Sequence, residues 1–304
     1  MKKILLTLAA VLATMPAFAR GIEVVSDVQI EIPSGEASYS PVMSPNGEYL
    51  LLTSGTLEGL KKYDLTTGVL STVTTDKGAG YNAQISDDGN LIVYRESAFR
   101  GRLRYNTVKS VNLEDGETRE LVSDSRQVTA WGVQDGTALA LEDGKVKSRK
   151  IYGRKVENPV IVSVEDGNLM VTRYGKTLKL NPCGDVRYLW QSLSPDGRKI
   201  LFAIAERGAV AYVCNLDGGN LVRLGRMSAP KWMGNDWVVG MDDKDNGQYF
   251  TSSVIVAVRA TGGDYTVLTD SSKISMYPSA SLNADKIVYN TGDGKIFMLN
   301  VVTE

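Results

Sequence analysis

The feature that most constrains this chain is a tight-turn motif that returns seven times, each time ahead of a short apolar run. Ser44-Pro45-Asn46-Gly47 precedes Glu48-Tyr49-Leu50-Leu51-Leu52, and Ser86-Asp87-Asp88-Gly89 precedes Asn90-Leu91-Ile92-Val93-Tyr94. Gln134-Asp135-Gly136 leads into Thr137–Leu141, Glu165-Asp166-Gly167 into Asn168–Val171, and Ser194-Pro195-Asp196-Gly197 into Arg198–Phe202. Two degenerate copies follow, Gly234-Asn235-Asp236 before Trp237-Val238-Val239 and Asn283-Ala284-Asp285 before Lys286–Tyr289. Proline presets φ at the first corner of such a turn, Asp or Asn bonds back to nearby backbone, and Gly accepts the positive φ that other residues resist. Repetition at this period is the signature of a repeat architecture.

Each unit continues into a third strand closed by a second turn. Leu60–Leu65 runs into Thr66-Thr67-Gly68, Val108–Leu113 into Glu114-Asp115-Gly116, and Val210–Leu216 into Asp217-Gly218-Gly219. A fourth strand follows in Val69–Thr74, Thr118–Val122, Leu221–Leu224 and Tyr265–Leu268. Four antiparallel strands per repeat without a helical period predict an all-β chain, a single β-propeller of seven four-stranded blades. The third and fourth units span only about 30 residues each, near the minimum for four strands of about five residues. A six-bladed ring in which they merge therefore stays open. The chain stops after the third strand of the last unit, and Glu23–Ile32 is a spare β-type stretch ahead of the first. A ring without an exposed edge predicts that this N-terminal stretch supplies the last blade's outer strand.

The motif resembles the WD40-like repeats of TolB-type periplasmic propellers, whose consensus is Pro-x-Trp-Ser-Pro-Asp-Gly. Pro41-Val42-Met43-Ser44-Pro45-Asn46-Gly47 fits it with Met in place of Trp, Leu193–Gly197 keeps the turn, and Pro230-Lys231-Trp232 keeps the Pro and Trp. The repeat is also similar to that of the propellers in prolyl peptidases. The resemblance spans nearly all of the chain after its first residues and implies architecture rather than activity. TolB proteins carry an additional N-terminal domain, for which the stretch before the first unit is too short. Prolyl peptidases append a hydrolase domain with a Ser-His-Asp triad, and this chain has no histidine.

Lys2 and Lys3, the apolar run Ile4–Met15 and Ala17-Phe18-Ala19 together read as a secretory signal over residues 1–19, leaving residues 20–304 as the propeller. A periplasmic or secreted protein without a membrane span is expected. With 34 Lys+Arg against 35 Asp+Glu, the charge does not favour nucleic acid as a partner. Export permits a disulfide between Cys183 and Cys214, although two buried thiols acting as small apolar residues fit equally.

The absence of histidine excludes a Ser-His-Asp or Cys-His nucleophilic system and any His-ligated metal. Carboxylate chemistry of the glycosidase kind stays open, but the recurring acids are accounted for by turns. Met241–Gly247 resembles an oxygen-ligand calcium loop, yet Lys244 falls on its middle ligand position. No cofactor or metal is therefore expected. Two loops exceed the hairpin the fold requires: the basic run of Arg95 and Arg100-Gly101-Arg102-Leu103-Arg104 in the second unit, and Asp242–Phe250 in the sixth. Long loops on a rigid scaffold carry binding residues. The candidates are Arg100, Arg102, Arg104, Asp242, Asp243, Tyr249 and Trp190, the last near the start of an inner strand. Trp131 and Trp232 are expected between blades. The sequence thus reads as an exported, non-enzymatic binding or scaffold propeller offering a loop-rich face to an envelope protein, peptide or glycan. The alternative is a carboxylate-dependent propeller hydrolase or lyase acting on glycans, with or without a divalent cation.

Overall fold

The computed structural model describes residues 21–33, 35 and 37–303. The expected signal segment lies outside these residues. Among them every regular element is a β-strand, and no helix is long and apolar enough to cross a membrane. The strands form seven antiparallel sheets, one for each turn motif, arranged as the blades of a propeller.

The second strand of each blade explains the arrangement. Side chains alternate between the two faces of a strand, and here both faces are buried. Leu50 packs toward blade 7 with Val288 and Ile296, while Leu51 packs toward blade 2 with Ile92 and Tyr94. The strand therefore reads as an unbroken apolar run instead of an alternating one. One apolar cluster fills each of the seven seams between blades. The seam of blades 6 and 7 is the largest, with Trp237, Met241, Tyr289 and Leu299 among its members; that of blades 3 and 4 is the smallest, built on Ala130, Leu139, Leu141 and Ile161.

Blades 1, 2, 5, 6 and 7 have four strands, whereas blades 3 (Val128–Gln134, Thr137–Glu142, Lys145–Lys150) and 4 (Ile161–Glu165, Asn168–Arg173, Lys176–Lys179) have three. The count of seven matches the sequence, and the expected fourth strand is missing from these two. After the third strand, residues 151–160 and 180–187 return irregularly to the start of the next blade. Pro159 and Pro182 lie in those returns, and proline cannot donate to a ladder. Lys145–Lys150 is consequently an outer edge. Its exposed Lys145, Lys147, Arg149 and Lys150 discourage pairing with another chain, as a charged edge should.

The ring closes as the sequence predicts. Ile22–Ile30 pairs antiparallel with Ile296–Thr303 as the outer strand of blade 7. Asp27 on that strand accepts from the Tyr289 hydroxyl (2.8 Å) and pairs with Lys273 (2.6 Å), while Ile22 enters the seam of blades 6 and 7.

Strand direction gives the ring two ends. The turn end carries the repeated motifs between first and second strands. The loop end carries the second-to-third hairpins and the crossovers between blades. At the turn end the motif serine is the hub. Ser194 Oγ accepts from the N–H groups of Arg198 (3.1 Å) and Lys199 (2.9 Å) and donates to Asp196 Oδ1 (2.6 Å). Ser44, Ser86 and Ser281 act in the same way, and all four are buried. Asp88, Asp196 and Asp285 are thus bound to their own turns.

Candidate functional site at the loop end of the ring

The innermost strands of blades 1, 5, 6 and 7 each break register once, between Tyr39 and Val42, Leu189 and Ser192, Ser228 and Lys231, and Met276 and Ser279. At each break one non-glycine residue takes a left-handed backbone: Ser40 (φ 44°), Trp190 (49°), Ala229 (48°) and Tyr277 (53°). Asn82 (53°) occupies the equivalent point of blade 2. Ser40, Asn82, Trp190 and Tyr277 each stand four residues ahead of the buried serine of their turn. Pro41, Pro230 and Pro278 follow the kink in three blades, because a bulge is where a residue without an N–H does least harm. Such a conformation costs about 1–3 kcal/mol per residue and persists only where its surroundings hold it. In blade 1 Asn290 of the neighbouring blade does this, accepting from the Ser40 N–H at 3.1 Å.

Four of these positions lie on innermost strands and Asn82 just ahead of one, so they surround the mouth of the central channel. Trp190 is 43% exposed and Tyr277 38%. Burial, and then the charge of Asp243, raise the Tyr277 phenol. On the innermost strand of blade 6, Lys231 is open to solvent, yet desolvation lowers its pKa.

The two expected long loops are extended β-ribbons. In blade 6, Trp237–Asp245 and Phe250–Arg259 pair to the tip. Asp242 faces blade 5, 3.6 Å from Arg226 Nε and accepting from the Tyr265 hydroxyl at 3.1 Å. Asp243 lies on the opposite face, toward Tyr277. Asp245 and Asn246 bond the backbone N–H groups of their own turn, and Tyr249 beside them is 70% exposed. Asp242, Asp243 and Tyr249 are thus on one ribbon without facing one another.

In blade 2 the ribbon is Leu91–Arg100 with Leu103–Asn112, joined across Gly101-Arg102. Arg100 is already paired, to Asp124 at 2.7 Å, and stacks on Tyr105 at 4.7 Å. Arg102 and Arg104 are exposed, as are the apolar Phe99 and Leu103 beside them. A polar cleft of 520 Å³ lies at the ribbon's base, lined by Tyr105, Asp124, Arg126 and Glu142 among others. Deeper in the ribbon, Arg95 turns toward blade 3 and packs against Tyr81 and Trp131. Trp131 and Trp232 both pack between blades, as expected.

The turn end has a cleft of its own between blades 2 and 3, of 460 Å³, lined by Asp87, Asp88, Asp135, Tyr152 and Arg154 among others. Burial, with Asp135 and Asp88 nearby, raises the Asp87 carboxyl. Burial works to raise Asp88 too, but hydrogen bonds from Ser86, the Asn90 N–H and Tyr152 outweigh it and hold that carboxyl low. Among the described residues no group of three His, Cys, Asp or Glu is placed to hold a metal ion. Cys183 and Cys214 are free thiols in the seam of blades 4 and 5, and burial pushes Cys214 up to about 12.

Of the residues singled out in the sequence, the structure brings Trp190 to the channel mouth, pairs Arg100 and Asp242 internally, and leaves Arg102, Arg104 and Tyr249 outward. Tyr81, Lys231 and Tyr277 escaped sequence reasoning, and Arg95 was visible only as the first member of the basic run. The proline after each kink was the available signal for Tyr277.

No family profile matches the chain, and no characterised protein matches it by sequence. Solved structures do resemble it. TolB from Acinetobacter baumannii superposes with a TM-score of 0.56 at 16% identity, over 80% of this chain and 57% of that one. The putative TolB of Agrobacterium tumefaciens gives 0.53 at 18%, over 88% and 91%. Oligogalacturonate lyase from Vibrio parahaemolyticus gives 0.52 at 14%, over 88% and 78%. Identities this low establish the fold alone: the chain is a β-propeller, the fold it shares with these TolB structures.

Proposed function

We propose that this protein is an exported, non-catalytic binding propeller that presents the loop end of its ring to a protein, peptide or glycan of the cell envelope. The observation that carries the proposal is the circle of strained residues at the channel mouth, two of them exposed aromatics. Strain retained at equivalent points of five blades, without glycine at any of them, indicates that the side chains serve a purpose. Tyr and Trp offer broad, rigid contact surface with a polar tip, which suits peptides and sugars alike. The signal-like first residues support export, as does the likeness to TolB propellers. Capture from an envelope extract tests the proposal. The purified chain should retain a partner that the W190S/Y277S double variant releases, and equal retention by both would contradict it.

The acidic cleft at the turn end favours a second possibility, hydrolysis or elimination on a glycan. Two carboxylates whose pKa values are driven apart are the requirement for acid–base chemistry, and Asp87 and Asp88 meet it. Turnover of an oligosaccharide by the parent and its loss in D87N would establish this activity in place of simple binding.

A further inference from the structure

Arg95 is a buried residue in the seam of blades 2 and 3, and no acid among the described residues is paired with it. Its residue exposure is 9%, and Nε is a buried donor without an acceptor among the described residues. The groups packed on it are the Tyr81 ring, 4.3 Å from the guanidinium carbon to the ring centre, and the Trp131 ring at 5.2 Å. Ring faces attract a cation but accept none of its N–H donors in conventional hydrogen bonds. Burial, and then the like charge of Arg104, lower Arg95 to about 10, which still leaves it cationic at neutral pH.

An unpaired buried charge is among the costliest arrangements in a folded protein. A structural arginine answers that cost with a carboxylate. Here the surroundings do the opposite. The corner is built and held: the Trp131 indole N–H donates to the Asn82 carbonyl at 3.0 Å, and Tyr81 and Trp131 lie 6.1 Å apart with their planes tilted by 52°. It is also reachable, since Tyr81 is 49% exposed. Asn82 is one of the five left-handed residues, so the corner sits on the channel mouth between blades 2 and 3.

We infer that Arg95, between Tyr81 and Trp131, is a receptor for a carboxylate group on the ligand. This rests on the loop-end binding proposal and gives the ligand its chemistry. The guanidinium fork matches the two oxygens of a planar carboxylate, the two rings supply apolar contact for the carbon framework behind it, and Arg104 adds attraction from nearby.

Benzoate and its neutral isostere benzamide are suitable probes for the full exported chain, read by tryptophan emission and by calorimetry. Benzoate should bind saturably and benzamide at least tenfold more weakly. R95M should abolish benzoate binding while melting at the same temperature as the parent or higher, because it removes a charge without a partner. Should R95M fold poorly, R95K keeps the charge without the fork and should bind at least tenfold more weakly. W131F should lose most of the optical signal and keep measurable heat. Equal binding of benzoate and benzamide, undiminished binding by R95M or R95K, or inorganic phosphate binding as tightly as benzoate, would each overturn the assignment. If any of these occurs while W190S/Y277S still loses its envelope partner, the carboxylate receptor falls and the loop-end proposal stands.

Discussion

The seam between blades 2 and 3 carries opposite chemistry at its two ends. At the turn end Asp87, Asp88 and Asp135 line a cleft, and most polar groups there are consumed by local hydrogen bonds centred on buried serines. At the loop end the same seam offers Arg95 between two aromatic rings with its Nε–H unspent. The turn end answers to folding: each blade needs a tight reversal, and Ser, Asp and Gly form it. The loop end departs from what folding needs, with strained backbone, exposed aromatics and an unmatched charge. A rigid scaffold whose polar demands are met at one end can tolerate such departures at the other.

The largest expected effect is on the frame that both ends share. Deleting residues 22–30 strips the outer strand from blade 7 and removes Asp27 from Tyr289 and Lys273. The truncated chain should aggregate or lose its cooperative melting transition, taking both ends with it. A monomeric truncation as stable as the parent would show that the clasp contributes nothing.

Substitutions at single kinks should then separate the ends by sign. Gly197 has φ +70°, and a Cβ there would meet only Leu193 Cδ2 at an ordinary 4.0 Å, so backbone strain dominates in G197V. It should destabilise by about 1–3 kcal/mol without affecting partner capture. W190G does the reverse. It relieves a left-handed tryptophan, leaving stability unchanged or up to about 1 kcal/mol higher, and it removes capture. Thermal melts and capture on both variants check this, and a destabilised W190G would make Trp190 a packing residue.

Acid should also treat the carboxylates differently. Burial works to raise Asp196, but Ser194 and the Arg198 N–H overcome it, and its folded pKa lies below the unfolded one. Its stabilising contribution, like that of Asp88, is complete above the unfolded value near 3.8 and lost as pH falls through the lower folded value. Asp87 runs the other way: its folded pKa is raised, so its contribution is fullest below the unfolded value and fades as pH rises through the folded one. D87N should therefore raise the melting temperature at pH 7 and leave it nearly unchanged at pH 3, whereas D196N should lower it at pH 7. Identical pH profiles for the two variants would contradict the opposite roles of these acids.

The smallest effect on stability belongs to the blade 2 ribbon. Neutralising Arg100, Arg102 and Arg104 together removes one exposed pair, to Asp124, worth about 0–1 kcal/mol. The melting temperature should barely move, while partner capture weakens at low salt and the difference shrinks as salt rises. Unchanged capture at low salt would remove the ribbon from the binding surface.

Much of this fold was legible because its rules are local. The turn residues mark each reversal, and the spare stretch before blade 1 has only one edge to pair with. The missing fourth strands of blades 3 and 4 were foreshadowed by close spacing, but Pro159 and Pro182 decided the matter. The site was less legible, since its residues meet only through the ring. Arg95 and Arg100 look like parts of one basic run. In the ribbon Arg95 faces blade 3, whereas Arg100 turns to Asp124. Strand alternation across a seam, and not charge spacing, separates the two. Trp190 was visible as a tryptophan near a strand start, while its left-handed backbone depends on a register break that no single segment encodes.

Hydrogen exchange on the chain bound to its captured envelope partner tests the central claim most directly. Binding at the loop end predicts slowed exchange in residues 77–83, 187–191, 227–231 and 275–278, with residues 86–90 and 194–198 at the turn end unchanged. Protection confined to residues 86–90, 135–136 and 152–154 would place the partner in the acidic cleft and contradict the account.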